Sequence, residues 1–137
     1  MLETQTGTDV VEINFPAGLP GFPNAHLFEL APWGPAGSPF LFLASSEDPE
    51  VAFVVVAPWV FYPDYEFELD AGTAERLSLS QADDAVVFAV VTLRDRPEDS
   101  TLNLLGPIVL NRFSREAAQV VLPSAGYSVR APLAIAP

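Results

Sequence analysis

Prolines and glycines divide the apolar sequence of this chain into short pieces. There are 14 prolines and 8 glycines, scattered over the whole length and never gathered into one linker. Proline fixes φ and removes a backbone donor, so it interrupts helices and interior strands alike. The longest apolar run, Val51–Tyr62, is itself broken by Pro58. A membrane helix needs about 20 apolar residues, so we expect no span and predict many short elements joined by tight turns.

A series of short segments rich in Val, Ile, Phe and Leu is bounded by Pro, Gly, Asp or Ser, which is typical of β-strands. Two of them, Val51–Val56 and Val86–Leu93, are continuously apolar, which predicts strands covered on both faces. The full set of predicted strands is Val10–Phe15, Leu27–Leu30, Phe40–Ala44, Val51–Val56, Tyr65–Leu69, Val86–Leu93, Leu102–Leu104, Ile108–Asn111, Gln119–Leu122 and Tyr127–Val129.

Helical signals are few and short. We predict one or two turns over Ala71–Leu77 with Asp70 as the cap, a turn over Ser80–Asp83, and a third over Ser114–Ala118 capped by Ser114. None can form a helical layer. The sequence therefore predicts a mainly β fold: one small domain over residues 1–137, an antiparallel barrel-like fold or a sandwich, with one to three short helical turns and a flexible N-terminus at residues 1–9.

The charge is strongly acidic. Eighteen Asp and Glu residues face six arginines, there is no lysine, and the net charge is −12. Because nucleic-acid binding relies on Lys and Arg to displace counterions, we expect no direct binding to RNA or DNA. A basic protein partner is the natural complement. The alternative, that the acidity only keeps an apolar domain soluble, stays open at this point.

Compartment signals come from what the chain lacks. It contains no cysteine, which excludes disulfides, thiolate nucleophiles and Cys-based metal sites and fits a reducing compartment. The first nine residues have neither a basic start nor an apolar stretch, so we expect no signal peptide. The expected location is the cytoplasm.

Catalytic residues are sparse. His26 is the only histidine, and no Gly-x-Ser-x-Gly elbow or Gly-rich loop followed by Lys is present. The acidic stretch containing Glu47, Asp48 and Glu50 lacks the spacing of a calcium loop and is typical of a solvated turn. We therefore expect a non-enzyme without metal or cofactor. An acidic hydrolase with two distant carboxylates remains an alternative.

The segment Asp64–Asp70 alternates acidic and apolar residues, which predicts a strand with one charged face. Like charges along one face repel each other, a cost that a cationic partner relieves. Protection of a sheet edge against aggregation is the alternative explanation. The charged face carries Asp64, Glu66, Glu68 and Asp70, and the opposite face carries Tyr65, Phe67 and Leu69.

Three aromatic residues, Trp59, Phe61 and Tyr62, lie in a turn-like stretch between two prolines. They cannot all point inward from so short a loop. We expect two of them to close one end of the fold and at least one to be partly exposed, as aromatics at interfaces are.

Two asparagines flank the segment Asn103–Asn111, in which Gly106 and Pro107 predict a bend between two strands. Asparagine readily bonds the nearby backbone, so fixing a turn is the favoured role for both, and contact with a partner is the alternative. Gly18 and Gly21 indicate a second tight turn, near the N-terminal end.

Four strings, taken in order and at their spacings, resemble the FliW family of flagellar assembly factors. They are Gly-Leu-Pro-Gly-Phe at Gly18–Phe22, Pro-Asp-Tyr-Glu at Pro63–Glu66, Asn-Leu-x-x-Pro-Ile-Val-x-Asn at Asn103–Asn111, and Gln-Val-Val-Leu at Gln119–Leu122. The resemblance extends over about Val10–Leu133, nearly the whole chain.

The resemblance implies a cytoplasmic, non-catalytic protein with a small β-barrel-like fold. Members of this family bind newly made flagellin and, when flagellin is exported, bind and antagonise the RNA-binding translational repressor CsrA. We expect a monomer when unbound. A small barrel that binds a hydrophobic ligand in its lumen is the alternative function.

On this basis we predict two contact regions. The CsrA contacts are expected at Phe61, Asp64, Glu66, Glu68 and Asp70, and the flagellin contacts at Asn103, Leu104 and Asn111.

Overall fold

The computed structural model describes residues 10–122 and 126–133, and the predicted flexible N-terminus at residues 1–9 lies outside them. The described part contains nine strands, one α-helix and three short 3-10 helices. The strands are β1 Val11–Asn14, β2 Leu27–Pro32, β3 Leu41–Ser45, β4 Ala52–Val56, β5 Ala85–Thr92, β6 Thr101–Leu102, β7 Ile108–Asn111, β8 Ala117–Gln119 and β9 Ala131–Pro132. The helices are α1 Ala71–Arg76 and the 3-10 turns Pro58–Val60, Ala82–Asp84 and Pro97–Asp99.

The strands form an antiparallel sheet in the order β1-β2-β3-β4-β5-β6-β9, and β7 joins β5 to β8. A single parallel bridge between Asn14 and Glu116 brings β1 beside β8, so the sheet curls toward a barrel without closing into one. The predicted mainly β, antiparallel, barrel-like fold with a few helical turns is confirmed. No helix in the described ranges is long and apolar enough to cross a membrane.

Strand β5 organises the sheet because it pairs with three other strands. Its C-terminal half lies between β4 and β6, and its N-terminal half pairs with β7. One of its faces places Phe88 in the main core, and the other places Ala89 and Val87 in two outer clusters. The prediction that the apolar runs at β4 and β5 are covered on both faces is confirmed.

The bend predicted at Gly106 and Pro107 lies between β6 and β7, which pair with the same edge of β5. Val91 pairs with Leu102 of β6, and Phe88 pairs with Ile108 of β7. A step of three residues along β5 therefore matches a step of six residues along the chain from β6 to β7. The additional residues form a turn, which Asn103 holds.

The interior of the curled sheet is filled by side chains. Phe15 and Phe28 are completely buried there and pack edge to face with ring centroids 5.1 Å apart. These two rings occupy interior space that a ligand in a barrel lumen would need. The interior cluster consists of Ile13, Phe15, Leu19, Ala25, Phe28, Leu30, Leu43, Val51, Val55, Phe88, Ile108, Leu110 and Ala117.

Two predicted strands are not strands, and a third, Gln119–Leu122, shares only Gln119 with β8. Tyr65–Leu69 and Tyr127–Val129 have no strand partner. Both keep apolar side chains inward, because Tyr65 and Tyr127 pack against the outer face of the sheet. Alternation of polar and apolar residues shows in which direction the side chains point, but it does not show whether another strand lies alongside to pair with. The short strand β9 was not predicted.

The helical turn predicted over Ser114–Ala118 is also wrong. Asn111 Oδ1 accepts hydrogen bonds from the N–H groups of Phe113 and Ser114, at 2.8 and 3.1 Å, and Arg115 has a φ of +65°. These features reverse the chain at the end of β7, so it returns as β8. The other two helical predictions hold, as α1 and as the 3-10 turn at Ala82–Asp84.

The turn predicted at Gly18 and Gly21 follows β1. Gly18 has a φ of +71°, and a Cβ atom there would lie 2.5 Å from the carbonyl oxygen of Pro23. Only glycine fits that position.

A single carboxylate, that of Glu47, connects the turn after β3 to the start of β2. Its Oε1 accepts hydrogen bonds from the backbone N–H groups of His26, at 2.9 Å, and Leu27, at 3.1 Å. The hydrogen bonds from Leu27 and His26 lower the pKa of the Glu47 carboxyl from its ordinary value of 4.5. This part of the acidic stretch is a structural turn.

We predict that Glu47 makes stability fall as the solution is acidified. A lowered folded-state pKa means that its stabilisation is complete above about pH 4.5 and is lost as the pH falls through the folded-state pKa, because the unfolded chain then binds more protons. Urea unfolding from about pH 7 down to about pH 3 should show a shallower decline for Glu47→Gln than for the natural chain. Glu50→Gln, in the same hairpin, is the control, and an equally steep decline in Glu47→Gln contradicts the prediction.

Candidate partner-binding surface

The acidic segment Asp64–Asp70 connects the 3-10 turn Pro58–Val60 to α1 and lies over the outer face of the sheet. Although it is not a strand, its side chains alternate as predicted. The four carboxylates are exposed, whereas Tyr65 is buried and Phe67 and Leu69 are half-buried against the outer clusters. The segment therefore presents a row of negative charge on an apolar underside.

Aromatic side chains hold this segment in place of a strand ladder. The indole Nε1 of Trp59 donates to the Tyr65 carbonyl oxygen at 2.7 Å. The Tyr127 hydroxyl donates to the Glu66 carbonyl at 2.8 Å and accepts from the Glu66 N–H at 3.1 Å. The rings of Tyr65 and Tyr127 lie 4.7 Å apart. The backbone of the segment is thus hydrogen-bonded at its middle without a paired strand.

Tyr65 also connects the two predicted contact regions. Its hydroxyl donates to the carbonyl oxygen of Leu104 at 2.7 Å, in the bend between β6 and β7. Burial raises the pKa of the Tyr65 hydroxyl, and the nearby Tyr127 adds to this rise, so the group stays protonated and keeps donating. The acidic segment and the Asn103 turn consequently lie side by side.

Asp70 differs from the other three acidic residues because it caps α1. Its Oδ1 accepts from the Thr73 hydroxyl at 2.7 Å and its Oδ2 accepts from the Thr73 N–H at 3.1 Å. The hydrogen bond from the Thr73 side chain is the main cause of a lowered Asp70 pKa. The predicted capping role is confirmed, and this carboxylate is already occupied within the chain.

Phe61 is half-buried, with its ring centroid 6.0 Å from that of Phe40. A hollow of about 220 Å³ lies between Phe61, Asp64 and Tyr127. Of the three aromatics in this loop, Phe61 and Tyr62 pack against an outer cluster and Trp59 is 41% exposed. The expectation of two packed aromatics and one partly exposed aromatic is confirmed.

The residues predicted near the bend have mainly structural positions. Asn103 Oδ1 accepts from the N–H groups of Leu105 and Gly106, at 3.1 and 2.9 Å. Leu104 and Asn111 are only 3% and 4% exposed. The turn-fixing role is confirmed for both asparagines, and Leu104 and Asn111 can affect a partner only through the backbone that they hold.

Asn111 fixes the end of α1 as well as the β7–β8 turn. Its Nδ2 donates to the carbonyl oxygens of Leu77, at 2.7 Å, and Ser78, at 3.3 Å. One buried side chain therefore joins two elements that are far apart in sequence.

Two surface features were not found from the sequence. One is a groove of about 550 Å³ between the acidic segment, α1 and the 3-10 turn at Ala82–Asp84. The other is Phe113, which is 74% exposed at the tip of the β7–β8 hairpin, with the Arg112 guanidinium 5.5 Å from its ring centroid. The sequence does carry a signal for this exposed position, because Asn111, two residues before Phe113, is a typical turn residue.

His26 lies away from these surfaces. Its Nδ1 is 2.9 Å from the carbonyl oxygen of Phe15, in the turn that Glu47 holds. Within residues 10–122 and 126–133, no three His, Asp or Glu side chains come together in a group that could hold a metal ion.

Comparison with known proteins gives a consistent result. The family model described as "FliW protein" matches residues 2–133. The flagellar assembly factor FliW of Bacillus licheniformis is 41% identical over 131 residues, covering 96% of this chain and 90% of that protein. FliW of Bacillus subtilis is 40% identical over 121 residues, covering 88% of this chain and 84% of that protein. A crystal structure of the flagellar assembly factor FliW matches with a TM-score of 0.83 and 33% identity, covering 89% of this chain and 84% of that one.

We predict that Tyr65→Phe lowers the free energy of unfolding by about 1–2 kcal/mol, because the buried Leu104 carbonyl loses its hydroxyl donor. Chemical denaturation measures the change. Tyr62→Phe is the control, since the Tyr62 hydroxyl donates to the Pro132 carbonyl in an exposed position, where water replaces it. If both variants lose the same free energy of unfolding, the buried Tyr65 hydrogen bond stabilises the fold no more than the exposed Tyr62 hydrogen bond.

Asn111→Ala is expected to cost about 2–3 kcal/mol, because it leaves the buried Leu77 carbonyl and three part-buried backbone groups without their partner. Asn24→Ala, at an exposed turn position, should change stability by less than about 0.5 kcal/mol. Thermal or urea unfolding of both variants decides the matter, and a loss below about 1 kcal/mol for Asn111→Ala refutes the structural role.

Proposed function

Because the chain belongs to the FliW family of flagellar assembly factors, we propose that it works in the cytoplasm by binding proteins and performs no catalysis. Its partners are flagellin and the translational repressor CsrA. While flagellin is abundant the protein is bound to it, and when flagellin is exported the freed protein binds CsrA. CsrA then releases flagellin messenger RNA.

The exposed acidic segment is the observation that supports a CsrA surface. Asp64, Glu66 and Glu68 point to solvent from a backbone that aromatic contacts hold in one conformation. A fixed row of charges needs little ordering when a cationic protein docks, so less entropy is lost on binding. The net charge of −12 adds long-range attraction to a basic partner.

Within this proposed surface the residues have different roles. Asp64, Glu66 and Glu68 make the direct contacts, and Phe61 contributes apolar area beside the hollow that it lines. Asp70 acts by capping α1, because both of its oxygens already accept bonds from Thr73.

Flagellin is assigned to the surface around Asn103–Asn111. Asn103 is half-exposed at the bend before β7, and Phe113 is exposed at the hairpin tip that follows the other end of β7. Aromatic residues and Arg are enriched at protein interfaces, so Phe113 and Arg112 are included in the proposed flagellin contacts. Leu104 and Asn111 support the surface from below.

We predict that the double variant Glu66→Lys with Glu68→Lys weakens CsrA binding at least tenfold, about 1.4 kcal/mol, while the fold is retained. The physical reason is that two attractive contacts become repulsive. Isothermal titration calorimetry measures the affinity, and the loss should shrink at higher salt, which screens exposed charges.

The matched control is Glu12→Lys with Glu29→Lys. These two exposed glutamates lie opposite each other on β1 and β2, and the pair of changes shifts the net charge equally, from −12 to about −8. If both double variants weaken CsrA binding to the same extent, total charge and not the acidic segment governs the attraction. If the natural chain captures neither CsrA nor flagellin at low ionic strength, the proposed function is wrong.

A further inference from the structure

The groove beside the acidic segment has apolar walls over a closed base. Val87 of β5 and Val109 of β7 pair with each other at the base and are only 9% and 1% exposed. The apolar surface that a partner can reach is therefore that of Trp59, Phe67 and Leu69.

The opposite wall is held rigidly by a carboxylate. Asp84 Oδ2 accepts from the N–H groups of Ser80 and Gln81, at 3.0 and 3.2 Å, and both of these residues line the groove. Trp59, at the other end, is fixed by its hydrogen bond to the Tyr65 carbonyl. A groove whose walls are hydrogen-bonded in this way is formed before any partner arrives.

The charged groups at the groove are mainly acidic. Glu66 lines it, and Asp83 is exposed immediately after the groove residue Ala82. Of the nearby cations, Arg76 donates to the Thr73 hydroxyl at 3.2 Å and Arg112 reaches the Asp83 carbonyl at 3.5 Å. Apolar walls with Glu66 in the lining and Asp83 beside it complement a segment that is apolar on one side and basic on the other.

We propose that this groove binds a short amphipathic helix of a partner protein, with its apolar side chains against Trp59, Phe67 and Leu69 and its Lys or Arg side chains near the acidic residues at the edge. A helix is proposed because the accessible lining consists of apolar side chains, and helices dock through side chains at i, i+3, i+4 and i+7. This inference rests on the proposed protein-binding function and specifies the chemistry of the partner segment.

The experiment uses a fluorescent synthetic peptide of about four helical turns with Leu at helical spacing and Lys on the opposite face. Two further peptides serve as comparisons: one with Glu replacing every Lys, and one with the Lys peptide's composition in scrambled order. Fluorescence anisotropy should show saturable binding of the Lys peptide that weakens with salt, and no binding of the other two. Equal binding of the scrambled peptide, or none of the Lys peptide at low salt, overturns the proposal.

Two variants locate the binding. Ala82→Trp fills the groove from an exposed position and should weaken the Lys peptide at least tenfold, whereas Ala36→Trp, in an exposed turn far along the chain, should leave it unchanged. If Ala82→Trp does not fold, Glu66→Gln carries the same test, with a smaller loss that disappears at high salt. Unchanged binding in the folded groove variant overturns the proposal.

The same variants separate this inference from the proposed function. If the natural chain binds CsrA and flagellin and Ala82→Trp binds both of them and the peptide with unchanged affinity, the groove inference is wrong and the proposed function stands. If the natural chain binds the peptide specifically but neither protein, the proposed function is wrong and the groove inference stands.

Discussion

The hydrogen bond from the buried Tyr65 hydroxyl to the Leu104 carbonyl is the interaction that ties the acidic segment to the rest of the fold. It joins a segment that lacks strand partners to the bend at which β6 gives way to β7. Without that bond the segment would depend on the packing of the Tyr65 ring and on the hydrogen bonds from Trp59 and Tyr127. Burial raises the pKa of the Tyr65 hydroxyl, so the donor persists at any physiological pH. Surface charge and core packing are thus coupled through one side chain.

The outer face of β5 is apolar, and this is why the acidic segment has to cover it. A curled sheet buries its inner face on itself, but β4 and β5 are apolar on both faces, and the outer face needs partners. The chain meets this need with short irregular pieces, because its prolines and glycines do not permit a helical layer. Irregular pieces carry backbone groups that must be bonded individually, and Trp59, Tyr127 and Asn103 provide those bonds.

Local signals predicted the elements whose boundaries are set by neighbouring residues. Ile108–Asn111 is a strand with the predicted bounds because a Gly-Pro bend precedes it and an asparagine turn ends it. Tyr65–Leu69 was misassigned because alternation gives side-chain direction and says nothing of strand partners. The groove was not predictable, since its lining comes from five separate stretches of chain and only the fold brings them together. The acidic side chains form the predicted exposed row, although the segment that carries them is not a strand.

Helix α1 shows how the residues expected to touch a partner can act from beneath the surface. Six residues are too few to be helical on their own in water, so α1 depends on its ends. Asp70 supplies the first end by accepting from Thr73, and Asn111 supplies the last by donating to the Leu77 carbonyl. Because α1 forms one wall of the groove, both residues affect the shape of that surface. Asn111 does so although its own side chain is buried. A change at either position would therefore move the helix that borders the groove, with no direct contact to the groove required.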